Sequence, residues 1–140
     1  MKKFLIGILA IIGGLIVGSA INMGIIMIGP SVFPLPEGVD PTDMENLAEN
    51  MHLFKPVNFI MPFFAHAFGT LTGAAFAAFI VSSAKLKFAM AISVLFLIGG
   101  IMNVYMLPSP MWFNIVDLVF AYLPMGWMGW NLTASSGINS

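Results

Sequence analysis

The chain alternates long apolar stretches with short polar ones. Four of the stretches are almost free of charge, and each contains about the 20 apolar residues that a transmembrane helix needs. They predict an all-α membrane protein that forms a four-transmembrane-helix bundle in one membrane domain. The predicted spans are residues 4–29, 58–83, 88–107 and 111–130, followed by a tail at 131–140.

The first span begins like a secretory signal peptide. Lys2 and Lys3 precede an apolar run, and residues 18–20 have the small side chains of a cleavage site. The apolar run nevertheless continues to Gly29, which is longer than a typical signal-peptide core. We therefore expect this first helix to be retained in the membrane.

Between the first two spans, the pattern predicts a turn-rich crossing followed by a short helix. The segment PSVFPLPEGVDP contains four prolines and a glycine, which favour irregular backbone. We expect a helix at residues 41–54, with Asp40 as its N-cap. Met44, Leu47 and Met51 recur there at helical spacing and form one apolar stripe. The stripe predicts an amphipathic helix on the extracytoplasmic surface of the bundle.

The positions of the lysines predict the orientation of the chain. Lys2 and Lys3 precede the first span, and Lys85 and Lys87 lie between the second and third. Because positive residues stay on the cytoplasmic side, we expect both termini in the cytoplasm and a location in a bacterial inner membrane. The loop between the first two spans has Lys55 against five carboxylates, Glu37, Asp40, Asp43, Glu45 and Glu49, and is expected outside.

Composition supports the membrane class and excludes several functions. Only 8% of the residues are charged, against about a quarter in soluble domains, and the mean hydropathy is +0.98. The absence of cysteine excludes disulfides, thiolate metal sites and thiol redox chemistry. The net charge of −1 and the absence of arginine give no reason to expect nucleic acid as a partner. The lipid bilayer is the expected environment.

Small residues recur at every fourth position in the first two spans. In lipid, such stripes let helix backbones approach closely, because helix association depends on packing. They predict that the first two spans pack face to face through Ala10, Gly14 and Gly18 on one helix and Ala65, Gly69, Gly73 and Ala77 on the other.

Strongly polar residues inside the spans are concentrated in the expected outer half of the bilayer. At 1.5 Å per residue, Asn22, His66 and Asp117 each lie about 9 to 12 Å from the outer end of their span. The candidate intramembrane polar site comprises His66, Asp117, Asn22, Asn103, Asn114, Thr70 and Tyr105.

A carboxylate in hydrocarbon must be protonated, paired or in contact with water. His66 is the one ionisable partner for Asp117 within the spans, so we hypothesise a hydrogen bond or ion pair between them. Two interpretations stay open. The pair either joins helices without further function or marks a proton or ion route, as intramembrane ionisable residues often do.

Metal and cofactor sites are weakly indicated. Glu49 and His52 form a Glu-x-x-His pair with Glu45 one turn earlier, but di-metal bundles need a second such pair, which the chain lacks. The twelve methionines form no tight Met-x-Met cluster for copper, and two histidines make haem a poor candidate. We expect a solvated polar face and no bound metal or other cofactor.

The segments GVDPTDMENLAENMHLFKPVNFIMPFFAHAFGTLTGA and GGIMNVYMLPSPMWFN carry a resemblance. Over residues 38–114, the chain resembles a group of uncharacterised four-helix integral membrane proteins of bacteria. The resemblance implies the fold class and a bacterial membrane. It implies no activity and no site residue.

Two hypotheses about function follow. The first is a non-enzymatic accessory or assembly subunit, or a homo-oligomer, because small-residue faces and short loops dominate and no nucleophile or cofactor motif occurs. The second is a small proton-coupled transporter or channel, in which His66 and Asp117 lie beneath a lid formed by the outer amphipathic helix.

Overall fold

The structure, a computed structural model that describes residues 1–135, is helical and contains no strand in that part of the chain. Two short 3₁₀ turns, Met51–Leu53 and Pro56–Phe59, accompany the α-helices. The α-helices are α1 (Lys2–Val32), α2 (Met44–Asn50), α3 (Ile60–Ile80), α4 (Lys85–Met106), α5 (Met111–Phe120) and α6 (Leu123–Ser135). The last five residues of the expected tail lie outside the described part.

Three helical segments of the described chain are long and apolar enough to cross a membrane. They are Lys2–Val32, Pro56–Ile80 and Lys85–Met106, with mean hydropathies of 2.6, 1.5 and 2.0. They correspond to the first three spans expected from the apolar pattern. The all-helical class and these three apolar helices are therefore confirmed.

The region expected to form the fourth span is divided into two helices. α5 ends at Phe120 and α6 begins at Leu123. Pro124 explains the division, because it has no N–H to donate to the Phe120 carbonyl four residues earlier. At 10 and 13 residues, neither piece alone has the length of a membrane span. The expected fourth span thus consists of two helices, with the interruption beside Pro124.

The helix in the long loop is shorter than the expected 41–54, and its N-cap is not Asp40. Asp43 Oδ1 accepts hydrogen bonds from the backbone N–H groups of Glu45 (3.0 Å) and Asn46 (3.2 Å), which is the N-cap geometry. Asp40 Oδ1 instead accepts from the backbone and hydroxyl of Thr42, at 2.8 and 2.7 Å. The prediction of Asp40 as N-cap was wrong, because its side chain closes the turn that precedes the helix.

α3 lies at the centre of the bundle and contacts α1, α4 and α6. The predicted small-residue face between α1 and α3 is present. A Cβ on Gly18 would lie 2.6 Å from the Gly69 carbonyl oxygen, and one on Gly14 would lie 2.8 Å from that of Gly73. Both distances are too short for a side chain, so the backbones touch. The alanines of the two stripes, Ala10, Ala65 and Ala77, are fully buried.

A second backbone contact joins α6 to the bundle. A Cβ on Gly129 would lie 2.6 Å from the Leu71 carbonyl oxygen of α3, and one on Gly126 would overlap the Ser93 side chain of α4. These contacts fix α6 beside α3 and α4. Both contacts lie on the C-terminal side of the break between α5 and α6.

The two ends of the bundle are packed differently. At the end near the N-terminus, the core is built from alanines with Ile92 and Val81, so the helices lie close together. At the other end, where residues 33–59 and 107–110 connect the helices, the core is built from Met51, Phe59 and Phe113. We call this the long-loop end. Its larger side chains hold the helices apart, and the candidate site lies there.

Candidate functional site

A cavity of about 290 Å³ opens among the helices at the long-loop end. Its walls come from α1, α3, α4 and α5, and the long loop closes it from above. The apolar stripe of α2 and the following 3₁₀ turn faces the cavity through Met44, Leu47 and Met51. The amphipathic helix is therefore a lid over the cavity, with Glu45 and Glu49 exposed on its opposite side.

His66 of α3 and Asp117 of α5 lie together at the cavity floor. His66 Nδ1 is 2.8 Å from Asp117 Oδ1, which is the distance of a charge-assisted hydrogen bond. The Asp117 residue is 3% exposed, and both residues line the cavity. The hypothesised contact between the two is thus present in the structure.

Tyr122 completes this group and was not among the residues proposed from the sequence. Its hydroxyl donates a hydrogen bond of 3.0 Å to Asp117 Oδ2, and its ring stacks against His66 with the centroids 5.9 Å apart. Gly100 of α4 makes room for it, because a Cβ there would overlap the tyrosine hydroxyl.

The position of Tyr122 depends on the break between α5 and α6. In a continuous α-helix, residues five apart point about 140° away from each other, so Tyr122 and Asp117 would not meet. The break turns Tyr122 back towards Asp117. The sequence signal for it was Pro124, which favours a helix break but does not specify which side chain the break redirects.

The arrangement leaves one imidazole nitrogen available to the cavity. Both Asp117 oxygens are engaged, one by His66 and one by Tyr122, so the buried carboxylate has two donors. His66 Nδ1 is held by Asp117, while Nε2 has no hydrogen-bond partner within residues 1–135. A neutral His66 with its proton on Nδ1 therefore presents Nε2 as a hydrogen-bond and proton acceptor.

Three predicted asparagines also line the cavity. The side-chain amides of Asn22 on α1 and Asn103 on α4 form no hydrogen bond within the described chain, so they are available to a ligand. Asn114 of α5 is engaged, since it accepts from the Ser109 hydroxyl at 2.6 Å and donates to the Ser109 carbonyl at 3.3 Å. It fixes the turn between α4 and α5.

Asn58 is a further cavity residue that sequence reasoning missed. It is buried, donates to the Pro34 carbonyl at 3.0 Å and accepts from the Lys55 backbone at 2.9 Å. These bonds tie the long loop to the start of α3. No local pattern in the sequence indicated this contact, because it joins residues 24 positions apart.

Two predicted site residues lie elsewhere. Thr70 is fully buried, its Oγ1 has no hydrogen-bond partner in the described chain, and it does not line the cavity. Tyr105 is 87% exposed on the outer face of α4. The structure therefore does not bring Thr70 or Tyr105 to the site. In both cases the residue has the expected depth but points away from the cavity.

The weak metal candidates Glu45, Glu49 and His52 lie on the exposed side of the lid. His52 Nδ1 is 2.9 Å from the Glu49 backbone oxygen, so this nitrogen is hydrogen-bonded to the chain itself. Residues 1–135 contain no group of three or more histidine, aspartate or glutamate side chains suited to a metal ion.

No family model, curated protein or solved structure matches the chain. The resemblance to uncharacterised bacterial membrane proteins therefore implies no role for any residue of the site. What the site can do chemically follows from its geometry. It can enclose a small apolar molecule, form hydrogen bonds to it through Asn22 and Asn103, and exchange a proton at His66 Nε2.

Proposed function

We propose that this chain is a small multi-pass protein of the bacterial inner membrane that acts as a proton-coupled transporter or channel. The observation that carries the proposal is the His66–Asp117 pair at the floor of a lidded cavity. Ionisable residues are costly within a membrane, and where they occur they commonly mark proton or substrate routes. The site has no nucleophile–base arrangement, and we propose no enzymatic reaction.

In the proposed arrangement, the chain crosses the membrane four times. α5, α6 and the two residues between them span Met111–Ser135, or 25 residues, which is about 37 Å of helix and enough for a hydrocarbon core of about 30 Å. The lysine distribution then puts both termini in the cytoplasm and the long-loop end outside. The cavity thus lies in the outer half of the bilayer.

The broken fourth crossing supports transport over a purely structural role. Many transporters bind substrates and coupling ions where a membrane helix is interrupted. Here the interruption is flanked by Asp117 and Tyr122, which both belong to the group at the cavity floor. The α-helical part of the lid is seven residues long and has no buried residue, and Met51, which follows it, anchors the lid in the core of the long-loop end.

Proton flux in reconstituted vesicles tests the proposal. Purified protein is placed in liposomes that contain a pH-sensitive dye, and small cationic, neutral and anionic amphiphiles are added one at a time. We expect at least one compound to drive a proton flux that His66→Ala and Asp117→Asn abolish and Tyr105→Phe leaves intact. The proposal is rejected if no compound of any charge class moves protons, or if the His66 and Asp117 variants behave as wild type.

A second candidate function is a homo-oligomer or an accessory or assembly subunit of a larger membrane complex. Gly24 of α1 and Gly99 of α4 favour it, because a Cβ at either position would meet nothing within 4 Å. Small residues on open faces allow another membrane helix to approach closely. Purification in mild detergent with native mass spectrometry tests this function, and a monomer with no co-purifying chain would exclude it.

A further inference from the structure

We infer that the ligand of the cavity is a compact, apolar amine in its protonated form, which competes with a proton for the His66–Asp117 pair. The inference rests on the proposed function, since it takes the cavity as the substrate site. It adds the chemical class of the substrate and the direction of coupling. Three independent features carry it: the shape of the cavity, its charge and its unpaired hydrogen-bonding groups.

The size and lining of the cavity select a compact apolar body. Its volume of about 290 Å³ is at the lower limit of the roughly 300–1,000 Å³ range of small-molecule sites. Four methionines and four phenylalanines contribute to the walls, and methionine side chains adapt to irregular shapes. The ionisable pair of His66 and Asp117 lies at the floor, so the ligand carries a polar group at the end that reaches this pair.

The charge around the cavity selects a cation. Among the lining residues there is one carboxylate, Asp117, one imidazole, His66, and no lysine. The loop above the cavity has five carboxylates against Lys55, a net charge of −4 with all six side chains exposed. Such a surface raises the local concentration of cations and repels anions. An anionic ligand would also have to approach the Asp117 carboxylate.

The unpaired groups that line the cavity are suited to an ammonium head. An ammonium carries three N–H donors and no acceptor. His66 Nε2 and the amide oxygens of Asn22 and Asn103 are acceptors without partners in residues 1–135.

The same geometry couples the cation to a proton. Asp117 on α5 and Tyr122 after it contact His66, and the neutral Asn22 on α1 and Asn103 on α4 line the same cavity. Asp117 is therefore the one carboxylate available to neutralise a positive charge at the floor. A protonated His66 uses that charge and loses its Nε2 acceptor, so the ammonium binds only after the proton leaves. Binding of one cation then releases one proton, which gives exchange of the two in opposite directions.

Three compounds that share one hydrocarbon cage test the inference. Binding of 1-aminoadamantane, 1-adamantanol and adamantane-1-carboxylate to the protein in nanodiscs is measured by calorimetry, with empty nanodiscs subtracted. We expect the amine to bind at about pH 8, at least about tenfold more tightly than either other compound. We expect its affinity to fall at least about tenfold when the pH is lowered to about 5.5, because the proton and the amine compete for the same pair. At the lower pH, titration in two buffers of different ionisation enthalpy should show release of about one proton for each amine bound, because the amine displaces the proton that the pair holds there.

Two variants show whether the amine binds in the cavity or in the surrounding lipid. Asp117→Asn should weaken amine binding by at least about tenfold, while Tyr105→Phe should leave it unchanged. If Asp117→Asn does not fold, the wild-type protein still tests the inference, through the relative affinities of the three adamantane compounds and the number of protons released for each amine bound. The inference is overturned if the alcohol or the carboxylate binds as tightly as the amine, or if amine binding at the lower pH releases no proton.

The two proposals fail in different ways. If neutral or anionic amphiphiles drive the proton flux in liposomes and cations do not, the transporter stands and the substrate class is wrong. If the amine binds with proton release but no compound drives a flux, the site is a proton-linked binding site and the transport function is rejected.

Discussion

At the scale of single residues, Asp117 is the group on which the cavity floor depends. Its two oxygens accept from His66 and Tyr122, and it is held between elements from different parts of the chain. Without these donors a buried carboxylate would be strongly destabilising. The pair therefore stabilises the fold and at the same time orients His66, and the two roles are separable by experiment.

A double-mutant cycle measures the contribution of the pair to stability. We expect His66→Ala and Asp117→Asn each to lower the free energy of unfolding by about 1–3 kcal/mol, because each leaves a buried polar partner unsatisfied. The double variant should lose less than the sum, with a coupling of about 0.5–2 kcal/mol. The measurement is unfolding in mixed micelles titrated with sodium dodecyl sulfate. Strictly additive losses would contradict an energetic role for the hydrogen bond.

Asp40 provides a pH-dependent test outside the helical spans. Hydrogen bonds from the Thr42 hydroxyl and then from its backbone N–H hold the pKa of Asp40 below its ordinary value of 3.8. Because the folded-state pKa is lowered, the associated stability is present above 3.8 and is lost as the pH falls through the folded-state pKa. Thr42→Ala should raise the Asp40 pKa towards the ordinary value, measured by NMR titration of its carboxyl carbon. Thr42→Ser keeps the hydroxyl and should keep the lowered pKa, and an unchanged pKa in Thr42→Ala would show that the hydroxyl bond is absent.

At the scale of helices, the contact between α1 and α3 depends on glycine. Gly18 faces the Gly69 carbonyl, whereas Gly24, less than two turns further along α1, faces open space. We expect Gly18→Ala to lower the free energy of unfolding by about 1–3 kcal/mol, because the added methyl group separates two backbones. Gly24→Ala is the matched control and should raise stability by up to about 1 kcal/mol through helix propensity. Equal effects of the two variants would contradict the backbone contact.

Helix-scale features were predictable where a local rule determines them. The α1–α3 face follows from a four-residue spacing, and the three apolar helices follow from their length and hydropathy. The N-cap of α2 was not predictable, because Asp40 and Asp43 both precede the helix and only the Thr42 turn decides between them. Tyr122 was missed for a similar reason, since its contact with Asp117 exists only across a helix break.

At the scale of the whole molecule, the difference between the two ends of the bundle produces the cavity. Depth along the spans grouped Asn22, His66, Asn103, Asn114 and Asp117, and all five line the one cavity. The depth of a residue in a span does not specify which side of the helix its side chain is on. Thr70 and Tyr105 were included in the candidate site on depth alone, and neither lines the cavity. The cavity itself depends on how phenylalanine and methionine side chains from distant segments meet, and no local pattern contains that information.

The proposed topology is testable because the chain contains no cysteine, so each introduced cysteine reports without background. In spheroplasts, we expect Glu45→Cys and Pro108→Cys to react with a membrane-impermeant maleimide. Ser83→Cys and Ser135→Cys should react only after the membrane is permeabilised. Acidic residues contribute little to orientation, so the Glu45 substitution leaves the topology intact.

The side of the membrane on which Ser135 lies shows whether α5 and α6 together cross the bilayer. If it is cytoplasmic and Pro108 is outside, the two helices return the chain across the bilayer, and the break that orients Tyr122 lies within the membrane. If Ser135 reacts from outside, the protein has three crossings, and Asp117 lies at the outer surface, where a carboxylate needs no buried partner. If Glu45 reacts only after permeabilisation, the acidic loop and the cavity open to the cytoplasm, and the exchange of a cation for a proton would begin from the opposite side.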